Sequence, residues 1–160
     1  MKSHKFMFVN FLEEPPEEQF RTWPLHITLV PWVRADYDSI QNVAETVAGR
    51  NQRFLVRNIG SDYFGPNRNR YVRTLERNPE IVTLHNSLLS HLDEKHISYG
   101  GLRYVMEDYR PHVTVNQKHS MLVPSEILVD SITIVEKNEE DGCRMARDTY
   151  YLIAEQQKAA

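Results

Sequence analysis

The chain has 160 residues, 41% of them hydrophobic and 26% charged, with a net charge of −3; these figures exclude a disordered chain and give no general drive to bind long nucleic acid. The single cysteine, Cys143, excludes an internal disulfide framework and a zinc site built on thiolates. No apolar stretch approaches the roughly 20 residues needed to cross a bilayer. One domain over residues 1–160 in a reducing, cytoplasmic setting is the expectation.

Taken in chain order, residues 5–12 read as a first strand. Its apolar run meets Glu13 and Glu14 with no small-residue cleavage site, so it does not resemble a signal peptide. A proline-broken connection over 13–24 leads to a second strand at 25–33. Asp38 or Ser39 then caps a helix whose apolar positions Ile40, Val43, Ala44 and Val47 keep the three-and-four spacing, with Gly49 near its end. Residues 54–59 return as a strand, 60–69 form a loop, and 70–75 form another strand. Asn78-Pro79 opens the longest helix, with Ile81, Leu84, Leu88 and Leu92 on one stripe and an end near His96. After a variable segment, 112–115 form a short strand, and 127–136 pair with 145–154 across a loop containing Asp141-Gly142. Strands and helices intermix and the terminal hairpin is antiparallel, so the fold class is α+β.

One local pattern occurs twice. Leu25-His26-Ile27-Thr28-Leu29 returns in form as Pro111-His112-Val113-Thr114-Val115. Side chains alternate along a strand, so each copy sets an imidazole and a hydroxyl on one face and two apolar anchors on the other. Two such pairs meet the needs of phosphodiester hydrolysis: one imidazole takes a proton from water and the other gives one to the departing oxygen. Thr28 and Thr114 would hydrogen-bond the non-bridging phosphate oxygens. A single His-x-Thr arises by chance roughly 0.35 times in a chain of this composition, so the weight rests on the pair, and on the flanks that place both copies in strands. The alternative for each copy is a buried strand histidine with a satisfied hydrogen bond.

In these motifs the sequence resembles the two-histidine (2H) phosphoesterase superfamily, and within it the bacterial 2'-5' RNA ligase (LigT-like) branch. The resemblance implies a pseudo-symmetric bilobal α+β fold, with antiparallel sheets, helices on the outside and both motifs in a central cleft. It implies action on cyclic phosphates such as 2',3'-cyclic nucleotides or RNA ends, leaving a 2'-phosphate. Two alternatives share those groups: 2'-5' ligation or cleavage, and binding of a nucleotide or RNA end without turnover. The segment 13–19 and Pro31-Trp32 depart from the family's pattern near the cleft entrance, which bears on substrate identity.

Further candidates are weaker. Strand parity puts Trp32 on the face of His26, where it would stack on a base or simply pack at an edge. Asn116 and Lys118 continue the His112 face, and Tyr109 and Arg110 precede it as substrate contacts. Seven arginines, Arg50, Arg53, Arg57, Arg68, Arg70, Arg73 and Arg77, face only Asp62 and Glu76 within the segment; they read as an electrostatic approach surface for phosphorylated substrate, with Arg68 and Arg70 as candidate substrate contacts, and scattered surface pairs are the alternative reading. His85, His91 and His96 lack the spacing of a helical zinc site, and Cys143 has no base partner. No metal or other cofactor and no obligate partner protein are expected, and the chain reads as a monomer.

Overall fold

In the computed structural model, which describes residues 4–102, 105–115 and 123–154, eight strands and two helices alternate along the chain. They are β1 (His4–Phe11), β2 (His26–Ala35), α1 (Tyr37–Ala48), β3 (Phe54–Phe64), β4 (Arg70–Leu75), α2 (Pro79–Glu94), β5 (His112–Thr114), β6 (Glu126–Val129), β7 (Ser131–Lys137) and β8 (Arg144–Tyr151). The strands form one curled sheet in the order β6-β3-β4-β5-β2-β1-β7-β8, with antiparallel neighbours throughout. Each end of that order is a four-stranded half, and the halves meet where β2 pairs with β5.

The helices form where the periodicity predicts and bury the predicted stripes. Ile40, Val43, Ala44 and Val47 of α1, and Ile81, Leu84, Leu88 and Leu92 of α2, enter one core with Ile27, Leu29, Val56 and Val113 from the sheet. The cap of α1 is Asp36, not Asp38 or Ser39: its carboxylate accepts the Ser39 N–H at 2.9 Å and the Ser39 hydroxyl at 2.8 Å. Asn78 caps α2 by accepting the Ile81 N–H at 2.9 Å. That helix ends at Glu94, and His96 turns the chain away with φ 58°.

Two sequence expectations are corrected. The first half of the expected loop over 60–69 is strand, because β3 continues as a ribbon with β4 out to Phe64 opposite Arg70, leaving only 65–69 as the connection. A register shift between Asn58 and Gly60 accommodates the glycine within the strand and exchanges the faces of β3. The expected single strand over 127–136 is two: Asp130 separates β6, which pairs with β3, from β7, which pairs with β1 and β8. One residue therefore links the first strand of the sheet order to the seventh, and the sheet must curl round on itself. Bridging bonds between the Gln52 and Ile153 segments tighten the same closure.

Asn10 holds this break. Its side chain is wholly buried, and Oδ1 accepts the backbone N–H of Asp130 and of Ser131, each at 3.2 Å. Asn10→Ala leaves those donors without their acceptor, so the variant should lose about 1–3 kcal/mol of stability. Urea unfolding curves check this; an unchanged midpoint would show that the clamp contributes nothing.

Candidate active site

The seam between the halves rests on one register pair, Ile27 opposite Val113, the middle residues of the two His-x-Thr motifs. Both are fully buried. An antiparallel pair has a local two-fold axis, so this register sets His26 beside Thr114 and Thr28 beside His112, with all four side chains on the face away from the core. On the other side of β5, Thr74 lies opposite His112 and Val72 opposite Thr114.

The two imidazoles are held alike. His26 donates from Nδ1 to the Pro24 carbonyl at 2.9 Å, and His112 donates from Nδ1 to the Arg110 carbonyl at 2.7 Å. Each partner is the carbonyl two residues upstream, and each bond leaves Nε2 as the nitrogen that takes or gives a proton. The Thr28 hydroxyl makes only a weak contact to Met7 Sδ at 3.8 Å, which a phosphate oxygen would readily replace.

Aromatic walls stand beside both rings. Trp23 stacks on His26 with centroids 4.2 Å apart, and Phe64 meets His112 edge-on at 4.7 Å. Burial is the main reason that His26 is lowered from 6.5 to about 4; the bond to Pro24 opposes the shift, and the nearby charges of His112 and Arg144 add to it. Burial also lowers His112, opposed by its bond to Arg110 and assisted by the charge of Arg70.

The remaining candidates divide. Trp32 does lie on the His26 face, although two register shifts interrupt β2 against β1; it is half-buried in a cluster with Met7, Val9, Phe11, Val135, Phe20 and Trp23. Tyr109 does not face the cleft. It is 4% exposed, stacks on His85 at 3.9 Å, and donates its hydroxyl to the Thr28 carbonyl at 2.9 Å from the core side. His85 is buried and satisfied: Nδ1 donates to the Leu29 carbonyl and Nε2 accepts the Met106 N–H. These two side chains position the strand that carries the first motif. Arg110 lies over Phe64, its Cζ 6.0 Å from the ring centroid. Asn116 and Lys118 lie outside the described residues.

The arginine-rich segment is dispersed. Arg57 pairs with Glu76, Arg68 reaches Asp62 at 3.8 Å, and Arg77 donates to the carbonyls of Tyr109 and Met106. Arg73 shares the face of Val113 and bonds to Asn58 and Tyr71. Of the seven, Arg70 acts on His112. Sequence reasoning missed Trp23, Phe64 and Arg144; the first lies in a connecting segment, the second within the expected loop, and the third in the terminal hairpin. Among the described residues no group of three or more His, Cys, Asp or Glu side chains is placed to hold a metal ion, and no helix is long and apolar enough to cross a membrane.

Two His-x-Thr strands joined at the centre of a curled antiparallel sheet, with both imidazoles on one face, define the two-histidine phosphoesterases. The chain belongs to the 2'-5' RNA ligase superfamily, whose profile matches residues 7–141. It is similar in fold to TT0787 of Thermus thermophilus, with TM-score 0.65 and 15% identity over 95% of this chain and 100% of that one. It is also similar to E. coli LigT complexed with 3'-AMP, with TM-score 0.62 and 17% identity over 94% of this chain and 99% of the other. No curated protein matches it.

The lowered imidazoles tie stability to pH. In the unfolded chain a histidine titrates near its ordinary 6.5, so between 6.5 and about 4 the unfolded state binds more protons at His26 than the folded state does. Stability should therefore fall as pH drops through that window, and less steeply in His26→Phe. Urea midpoints measured across the range decide this; parallel profiles for the two proteins would refute it.

Proposed function

We propose that the chain hydrolyses 2',3'-cyclic phosphates of nucleotides or RNA ends by general acid–base catalysis between His26 and His112. The observation that carries this reading is the two-fold arrangement of equivalent imidazoles about the Ile27–Val113 pair, each with Nδ1 tied to a carbonyl. The superfamily is enzymatic, and a structure of its E. coli member LigT contains 3'-AMP, a nucleotide monophosphate.

His26 is assigned the base and His112 the acid. His26 lies beside Arg144 and is pushed to about 4, so it stays neutral over most of the working range. Its Nε2 takes a proton as water attacks phosphorus, one ring P–O bond breaks, and Nε2–H of His112 protonates the departing ribose oxygen. Thr28 and Thr114 donate to the non-bridging oxygens as charge builds there. The bound phosphate anion favours the protonated form of His112, which burial alone disfavours.

Ring opening by a ribose 5'-hydroxyl in place of water would join a 2'-5' linkage, and its reverse, attack of the neighbouring 3'-hydroxyl on that linkage, would cleave it and re-form the ring, with the same groups moving the protons. The family's description favours keeping that as the second reading. Product analysis with cyclic-phosphate mononucleotides and short oligonucleotides separates the two.

His26→Ala and His112→Ala should each lower turnover at least about a hundredfold while circular dichroism remains that of the parent. A folded single variant with near-parental turnover would end the paired mechanism. Activity should persist through exhaustive chelation; loss restored by zinc, magnesium or manganese would indicate a metal-dependent reaction. Because kcat/KM reports the free enzyme and both imidazoles lie below 6.5, its bell-shaped pH profile should centre on the acidic side of neutrality. A centre above pH 7 would contradict the assignment.

A further inference from the structure

The segment between β1 and β2 folds across the face that carries His26. Phe20 and Arg144 exchange backbone hydrogen bonds at 2.9 Å in both directions, and Arg144 Nη1 donates to the Arg21 carbonyl at 2.7 Å. Phe20 and Trp23 of this segment pack on Met7, Val9, Phe11 and Val135, and Trp23 is thereby pressed onto His26. The Arg144 guanidinium lies at the same tryptophan, its Cζ 5.3 Å from the ring centroid.

Arg144 makes no ion pair among the described residues: Glu136 and Glu139, which line the same depression together with Glu140, are engaged by His4, Arg147, Lys5 and Arg34. Arg34, Arg57, Arg68 and Arg147, by contrast, each have a carboxylate within ion-pair distance. Its Nε is buried and has no acceptor. The register partner of Arg144 on β7 is Lys137, whose ammonium lies 5.9 Å from the Trp32 centroid, likewise without a carboxylate partner among the described residues. A partly buried guanidinium without a counter-ion is costly unless an anion arrives to meet it.

We propose that Arg144 holds a second phosphate of the substrate, one ribose away from the phosphate that reacts between the histidines. The substrate class is then a nucleoside 2',3'-cyclic phosphate that also carries a phosphate on its 5' side, as a free nucleotide or as the last residue of an RNA. Trp23 contacts both the His26 imidazole and the Arg144 guanidinium, so the two groups stand one indole ring apart, a separation that the ribose between two phosphates would span. Lys137 adds attraction on the same side.

The inference rests on the proposed hydrolysis, so the test has a turnover arm and a binding arm. In the first, adenosine 2',3'-cyclic phosphate is compared with the same compound bearing a 5'-phosphate and with a dinucleotide ending in the cyclic phosphate. The parent should prefer the 5'-phosphorylated compounds by at least about tenfold in kcat/KM, and Arg144→Gln should bring that ratio close to one, with partial recovery in Arg144→Lys. Preference for the mononucleotide or for the dinucleotide tells which source of 5'-phosphate the site takes. A ratio near one in the parent, or one that Arg144→Gln leaves unaltered, overturns the proposal. In the second arm, adenosine 2'-phosphate and adenosine 2',5'-bisphosphate are titrated by tryptophan fluorescence. The bisphosphate should bind at least about tenfold more tightly to the parent, and Arg144→Gln should remove that advantage. Should none of the cyclic compounds turn over, the hydrolytic reading fails and this arm alone decides on Arg144: equal affinities in the parent, equal losses for both probes in the variant, or no binding of either overturn it.

Discussion

The site depends on one backbone pairing, Ile27 with Val113. Every other neighbour in the sheet is joined through several residues, but β2 and β5 meet in register at a single position, the centre of both motifs. The buried anchors hold the halves together from the core side, and alternation then obliges both histidines and both threonines to face the other way. Core packing and the placement of reacting groups thus follow from the same two residues. Because β5 is so short, β2 beyond Thr28 has no strand partner on that edge among the described residues, which makes room for Pro31 within a strand. Tyr109 and His85 supply hydrogen bonds to the Thr28 and Leu29 carbonyls where a ladder would otherwise provide them.

The hydrogen bonds to the imidazoles give the pair its character. Where a carboxylate accepts from Nδ1, the imidazolium is stabilised; here both acceptors are neutral carbonyls, and the aromatic walls remove water without adding negative charge. Burial accordingly disfavours the charged form of both imidazoles. In the proposed hydrolysis, protonation of one ring would come with the anionic ligand, so that the acid is present when there is a leaving oxygen to receive its proton.

How much of this was legible in the sequence follows from the range of each signal. The repeated His-x-Thr, the alternation that sets its polar face and the stripes of α1 and α2 are local, and they were read directly. Asp130 shows why longer-range features were not: nothing in the apolar character of 126–137 marks the residue at which the chain leaves β3 for β1, because both halves are equally strand-like. Gly60 reads as a breaker, yet a register shift absorbs it inside β3. The arginines form a charge block in sequence, but β4 alternates, so Arg70 and Arg73 go to opposite faces and most of the rest find partners. Tyr109, three residues before His112, points into the core, whereas Trp23, at the same distance before His26, stacks on that imidazole, and Arg144 comes from the far end of the chain to lie against Trp23.

The two-fold relation of the motifs is broken by what lies behind them, and in the proposed reaction that difference would divide their labour. His26 is backed by a whole aromatic cluster and the segment that covers it, with a cation at its edge. His112 is backed by Phe64 near the end of the β3–β4 ribbon, where the chain is more open to solvent. Unequal desolvation around equivalent side chains separates their proton affinities, the condition under which one acts as base while the other acts as acid. An exchange of roles would require the drier wall to move to the other half of the sheet. In the proposed reaction the covering segment between β1 and β2 would therefore contribute to the chemistry without supplying a reacting group, by making His26 the harder imidazole to charge.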